Sequence, residues 1–279
     1  MIINWYPGHM AKAKRLIQEN LKIIDVVIEL VDARIPMSST NPMIKSLIGD
    51  KPSVVVLNKA DLADPAVLDE WVAYYKQQGR KVLALNSKGG KGVKQLISLV
   101  RSLAAPKLAR WKARGLKNRA VRTMILGIPN VGKSTLINKL SRRSAAKTAD
   151  KPGETKGKQW VHIGDQLDLL DTPGVLWPKL ENQVSAYRLA ATGAISDTVF
   201  DMETVIMQLI EQLSDQYPDE LKARYKLETL CDKPLDTIEA IGRKRGCIVS
   251  GGVVDLEKTY KLILKEFREG KIGAISLDR

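Results

Sequence analysis

Short apolar runs bounded by turn residues recur through the first part of the chain, at Val26–Val31, Ser53–Leu57, Val82–Leu85, Val121–Leu126, Gln159–Ile163 and Leu167–Leu170. Their length and wealth of β-branched residues predict six strands, mostly buried. Between them, Ala66–Gln78, Val93–Leu103 and Lys133–Leu140 have helical spacing. Alternation of this kind predicts an α/β domain with a mostly parallel sheet and helices on both faces. After Trp177 the strand runs stop, and Val184–Thr192, Met202–Leu213, Thr237–Ile241 and Leu256–Phe267 read as amphipathic helices. The pattern divides the chain into residues 1–177 and a smaller all-α domain over 178–279.

Composition narrows the class. With 44% hydrophobic and 27% charged residues, the 279-residue chain reads as a soluble globular protein and not as a disordered tail. No run approaches 18 consecutive apolar residues, and residues 1–20 lack the apolar core of a secretory signal. A cytoplasmic protein without stable membrane association is expected. The two cysteines, Cys231 and Cys247, have no CxxC partner or nearby histidine, which argues against a disulfide framework or a zinc site.

The charge is +14 overall and unevenly spread. Residues 1–176 hold 30 Lys+Arg against 14 Asp+Glu, net +16, whereas residues 177–279 hold 15 against 17. Its densest stretch, Arg101 to Arg122, has no acidic residue and contains Trp111. Such a stretch fits either a nucleic-acid contact or a solvated helix and linker. In the second half Arg243-Lys244-Arg245-Gly246 forms a local basic cluster, which fits either a single RNA-facing edge or a solvated helix end.

The most specific chemistry lies in Gly127-Ile128-Pro129-Asn130-Val131-Gly132-Lys133-Ser134, followed by Thr135, which fits GxxxxGK[ST] between a strand and a helix. Glycines let backbone N–H groups curl around phosphate oxygens, and the following helix N-terminus adds a positive end. Lys133 supplies charge to the β- and γ-phosphates, and Ser134 a hydroxyl to Mg²⁺. Downstream, the strand Leu167–Leu170 runs into Asp171-Thr172-Pro173-Gly174, a DxxG motif. Asp171 is a candidate Mg²⁺ ligand, and Gly174 allows an N–H to approach a γ-phosphate. Thr155 in the intervening turn is a candidate second Mg²⁺ ligand, with Thr148 its competitor.

Phosphate binding does not choose the base. The strand Ser53–Leu57 ends in Asn58-Lys59-Ala60-Asp61. A carboxylate at Asp61 accepts from guanine N1–H and the exocyclic amine together, an arrangement adenine lacks. Asn58 supports the loop, and the stem of Lys59 covers the base face. The strand Val82–Leu85 runs into Asn86-Ser87-Lys88, similar to a serine loop that touches the guanine carbonyl. The residue after Gly174 is Val175, and an apolar side chain cannot hold an attacking water where many GTPases place a glutamine. Unaided turnover is expected to be slow. The two histidines are His9, in a turn before a helix, and His162, in a strand run that favours a structural or surface role.

These motifs resemble those of the Ras-like GTPases in a rotated order, with NKAD and the serine loop ahead of the P-loop, Thr155 and DTPG. The sequence is similar to the circularly permuted GTPases, and Asn4-Trp5-Tyr6-Pro7-Gly8-His9-Met10 with Asp32-Ala33-Arg34-Ile35-Pro36 resembles the ribosome biogenesis GTPase A (YlqF) family. That resemblance implies GTP hydrolysis to GDP with Mg²⁺, late assembly of the large ribosomal subunit, contact with its rRNA and ribosomal proteins, and a monomer off the ribosome. It also implies that His9 positions the water and that Asn130 is a candidate K⁺ ligand beside the phosphates. Two alternatives stand beside it: a GTP-switched RNA-binding assembly factor with incidental hydrolysis, and a membrane-surface signalling GTPase, for which no lipidation motif is present.

Overall fold

The computed structural model describes residues 15–115, 119–141, 159–172, 174 and 182–279. Helix α1 (residues 15–21) leads into β1 (Val26–Asp32), every residue of which is buried. A six-stranded sheet forms around β1, with β2 (Ser53–Asn58), β3 (Lys81–Leu85), β4 (Val121–Gly127), β5 (Gln159–Ile163) and β6 (Leu167–Asp171) in the order β3-β2-β1-β4-β6-β5. All pairs are parallel except β5 with β6. The central strands are largely apolar on both faces, as a sheet covered twice requires, with Glu29 a buried exception on β1. The edge strand β5 alternates instead, burying Val161 and Ile163 while exposing His162.

Strand parity assigns the layers. Val26, Ile28 and Leu30 face a core shared with α5 (Val93–Ala113) and α6 (Lys133–Ser141), whereas Val27 and Val31 face α1, α3 (Pro42–Ile48) and α4 (Pro65–Gln77). Proline at the first turn and side-chain caps set several helix starts: Asn41 accepts from Met43 N–H at 3.0 Å and Asp64 from Ala66 N–H at 2.9 Å.

Helices α7 (Gln183–Ala191), α8 (Met202–Gln216), α9 (Pro218–Tyr225), α10 (Pro234–Lys244) and α11 (Leu256–Arg268) follow. Their buried residues join one continuous apolar cluster with the sheet face that carries Ile28 and Leu30. The structure differs from the sequence pattern in four helices. Helix α9 and the short helices α2 (Pro36–Ser39) and α3 are additional, and α5 runs through Pro106 to Ala113. A proline there forgoes its bond to the carbonyl of Ser102, and Ser102 lies on the exposed side of the helix. Among the described residues, no helix is long and apolar enough to cross a membrane.

Candidate nucleotide site

The carboxyl ends of the parallel strands place five loops along one edge of the sheet, the position where open α/β sheets bind ligands. After β4 the chain curls through Asn130 (φ 54°) and Gly132 (φ 100°) into the first turn of α6. Positive φ at Gly132 needs glycine, and so does space: a Cβ there would lie 2.4 Å from Asn58 Nδ2.

Asn58 joins three loops. Its Nδ2 donates to the Val131 carbonyl at 2.7 Å, and its Oδ1 accepts from Ser87 N–H at 3.1 Å. Ala60 N–H donates to the Leu85 carbonyl at 3.1 Å, closing the NKAD loop against the serine loop. Asp61 and Lys88 are exposed at the rim, with Ala60 half-buried beside them. Asn86 turns inward on its own loop, its Oδ1 accepting from Gly89 N–H at 2.6 Å. That side chain shapes the serine loop, and Ser87, which is buried, sits between Asn58 and the P-loop.

Lys133 opens α6 and is buried, donating to the Ile128 carbonyl at 2.7 Å and the Gly127 carbonyl at 3.2 Å. Burial lowers its pKa to about 8, partly offset by the charge of Asp171. Burial likewise raises the carboxyl of Asp171, against the pull of Lys133. Asp171 Oδ1 is buried and has no hydrogen-bond partner among the described residues. An orphaned, desolvated carboxylate oxygen beside a phosphate loop suits a divalent cation. Ser134 and Thr135 are half-buried in the same helical turn. Gly174 lies against the P-loop, where an added Cβ would stand 2.7 Å from Pro129 N and 3.0 Å from Lys133 Nζ.

His9, Thr155, Thr148 and Val175 lie outside the described residues. Asn130 donates to the Gly193 carbonyl at 2.8 Å, at the end of α7, so the P-loop touches the helical region directly. His162 is largely exposed on the edge strand, paired across to Asp168 at 2.6 Å, away from the loops.

Sequence patterns did not assign a role to Asp32 and Arg34. Both are buried where β1 ends, Asp32 accepting from Lys59 Nζ at 2.8 Å and from Arg34 at 3.0 and 2.8 Å. Burial would raise Asp32, but Arg34 and Lys59 outweigh it and hold the carboxyl well below the usual range. An aspartate ending a largely apolar strand, with an arginine two residues on, was the available signal.

Part of the basic stretch is engaged within the fold. Lys107 pairs with Asp25, Trp111 is buried with Arg119 stacked 4.0 Å from its ring, and Arg122 faces Trp160 at 5.8 Å. Arg101, Arg110, Lys112 and Arg114 remain exposed on or just after α5. In the helical region Lys244 shares a groove with Lys258, Lys261 and Lys265 of α11, while Arg245 turns to Glu266 at 2.5 Å.

A model of the 50S ribosome-binding GTPase family matches residues 122–235. Ribosome biogenesis GTPase A of Priestia megaterium is 51% identical over 279 residues, covering 100% of this chain and 97% of the relative. The same-named protein of Thermotoga maritima is 31% identical over 99% of this chain and 94% of its own length, and mouse mitochondrial ribosome-associated GTPase 1 is 32% identical over 100% and 90%. The crystal structure of GNP-bound YlqF from T. maritima superposes with a TM-score of 0.70 at 27% identity, over 96% of this chain and 98% of that one. With that likeness running end to end and its guanine-type loops ahead of its P-loop, the chain belongs to the ribosome biogenesis GTPase A family of circularly permuted GTP hydrolases.

Proposed function

We propose that this GTPase acts in late assembly of the large ribosomal subunit, binding the precursor and its rRNA and using hydrolysis to time its own release. The observation that carries the nucleotide side is Asn58, which ties the NKAD loop, the serine loop and the P-loop into one unit. In this reading Asp61 selects guanine, Lys59 covers the base face, and Asn86 and Lys88 hold the serine loop that presents Ser87. The backbone of Asn130 through Thr135 surrounds the phosphates. Lys133 exchanges the carbonyls of its own loop for phosphate oxygens, and the Gly174 N–H meets the γ-phosphate. Ser134, Thr155 and Asp171 would hold Mg²⁺, which neutralises charge building on the phosphate oxygens. His9 orients the attacking water, and Asn130 is the K⁺ ligand.

On the partner side, the exposed arginines and lysine of α5 and the lysine groove of α11 give two anion-binding faces for rRNA, with ribosomal proteins as further contacts. The protein works in the cytoplasm and is a monomer off the ribosome. We assign residues 1–177 to the catalytic domain and 178–279 to a helical domain whose placement follows the nucleotide, since the P-loop meets it at Gly193.

The deciding measurement is GTP turnover with and without mature and immature large subunits. Strong stimulation by one of them supports the proposal, and K⁺ in place of Na⁺ should raise that turnover. His9→Ala should abolish the stimulation while leaving GDP affinity intact. A second reading, a GTP-switched RNA binder with incidental hydrolysis, is favoured by Val175 in the glutamine position. It predicts nucleotide-dependent subunit binding without stimulated turnover.

A further inference from the structure

We propose that Asp32 and Arg34 are positioning residues for the guanine-reading loop, and that they couple its geometry to the docking of residues Ile275–Asp278 from the far end of the chain. The inference rests on the assignment of Asn58–Asp61 to guanine.

Lys59 adopts a left-handed backbone (φ 59°), and its ammonium is held by Asp32 at 2.8 Å. Asp32 is in turn gripped by both Nε and a terminal nitrogen of Arg34, a two-pronged contact that fixes the carboxylate plane. Arg34 is 1% exposed, and its guanidinium lies 5.4 Å from the ring of Phe267 on α11. The helical region therefore supplies one wall of the pocket that holds Arg34.

Residues 275–278 fasten the same loop from its other side. Ile275 N–H donates to the carbonyl of Leu62, the residue directly after NKAD, at 2.9 Å, and Leu277 N–H donates to the Arg34 carbonyl at 2.8 Å. Asp278 is 2% exposed and accepts from Ser38 N–H, Ser38 Oγ and Arg188, each at 2.7 Å. Leu62 N–H also bonds the Lys59 carbonyl at 2.9 Å, so a shift at Leu62 reaches Lys59 within one turn. Lys59 and Asp61 are thus set by β1 on one side and by the docked segment on the other. A nucleotide that orders this loop must favour the docked segment by the same factor by which docking favours the nucleotide.

The test uses the full chain and compares GDP with IDP, which lacks the exocyclic amine that Asp61 reads. Arg34→Lys and, as a milder variant, Asp278→Asn should narrow the preference for GDP over IDP by roughly tenfold, within the usual 5–150-fold range of coupling. A variant that only loosens the fold lowers both affinities together, as a buried Ile263→Val control should. Hydrogen exchange gives the reciprocal reading: saturating GDP should slow exchange at the Ile275 and Leu277 amides. An unchanged GDP-to-IDP ratio in both variants, or unchanged exchange at those amides, overturns the coupling. Asp61→Asn separates the two levels: it should shift preference to xanthosine diphosphate. If it does not, the guanine assignment itself fails, and the inference with it.

Discussion

On the proposed reading of the site, substitution of two glycines should separate recognition of the γ-phosphate from recognition of the nucleotide as a whole. In Gly174→Ala the new methyl carbon meets Pro129 N at 2.7 Å and Pro129 Cα at 2.8 Å, and both are backbone atoms of the P-loop. Carbon contacts are comfortable at about 3.5–4.0 Å, so residue 174 must retreat by roughly 0.7 Å or more. An N–H moved that far from a γ-phosphate oxygen forfeits its hydrogen bond. Loss of one preorganised donor costs about 10²–10³ in the chemical step. GDP has no γ-phosphate, so its affinity should stay within about threefold, well under 1 kcal/mol. Gly132→Ala behaves differently. Its methyl would lie 2.4 Å from Asn58 Nδ2 at φ 100°, so both the loop's curl and the Asn58 tie are lost. GDP and GTP affinities should then fall together, by roughly a hundredfold or more, from a strained backbone plus a broken buried hydrogen bond. Single-turnover hydrolysis and equilibrium GDP binding on both variants decide the matter. Wild-type hydrolysis in Gly174→Ala, or equal loss of GDP binding in both, would refute the assignment of Gly174 to the γ-phosphate.

The pH dependence follows from Lys133, whose pKa is lowered to about 8 by burial. Phosphates bind its charged form, so affinity for GDP should decline above about pH 8 by up to tenfold per unit, and calorimetry in buffers of different ionisation enthalpy should show proton uptake there. At the acid end, burial opposes ionisation of Glu266, but Arg224 and Arg245 outweigh it and hold its pKa below the usual range. Its contribution to stability is therefore complete above the ordinary glutamate pKa and lost as pH falls through the lowered one. Glu266→Gln should cost about 1–3 kcal/mol at neutral pH and flatten that acid limb in thermal melts. Replacing Arg101, Arg110, Lys112 and Arg114 by alanine should lower the salt dependence of rRNA binding, by a slope of roughly 0.7–0.9 for each phosphate contact removed. An unchanged slope would place the rRNA contact elsewhere.

The sheet was legible because a doubly covered parallel strand must be apolar on both faces, and all six strand runs are strands. Short helices were not. Helices α2, α3 and α9 span 4, 7 and 8 residues and start at prolines that read as turn signals, so too few positions repeat to show a period. In the site, Asn58, Ser87 and Gly132 could be singled out because each belongs to a local motif, and the structure brings all three together. The anchoring of Asp278 on Ser38 spans 240 positions, and no local pattern encodes such a closure.

Net charge was the reading most altered by packing. The sequence offered Arg101 to Arg122 as one basic surface, yet burial of Trp111 demands cover for its ring, and Lys107 and Arg119 supply it. Lys107 also neutralises Asp25, which is buried at the start of β1 and could not remain there as an uncompensated charge. Those cations therefore stabilise the join between α5 and the sheet. Arg101, Arg110, Lys112 and Arg114, free of that duty in the fold, are the ones whose removal should weaken rRNA binding without loosening the packing of α5 on the sheet.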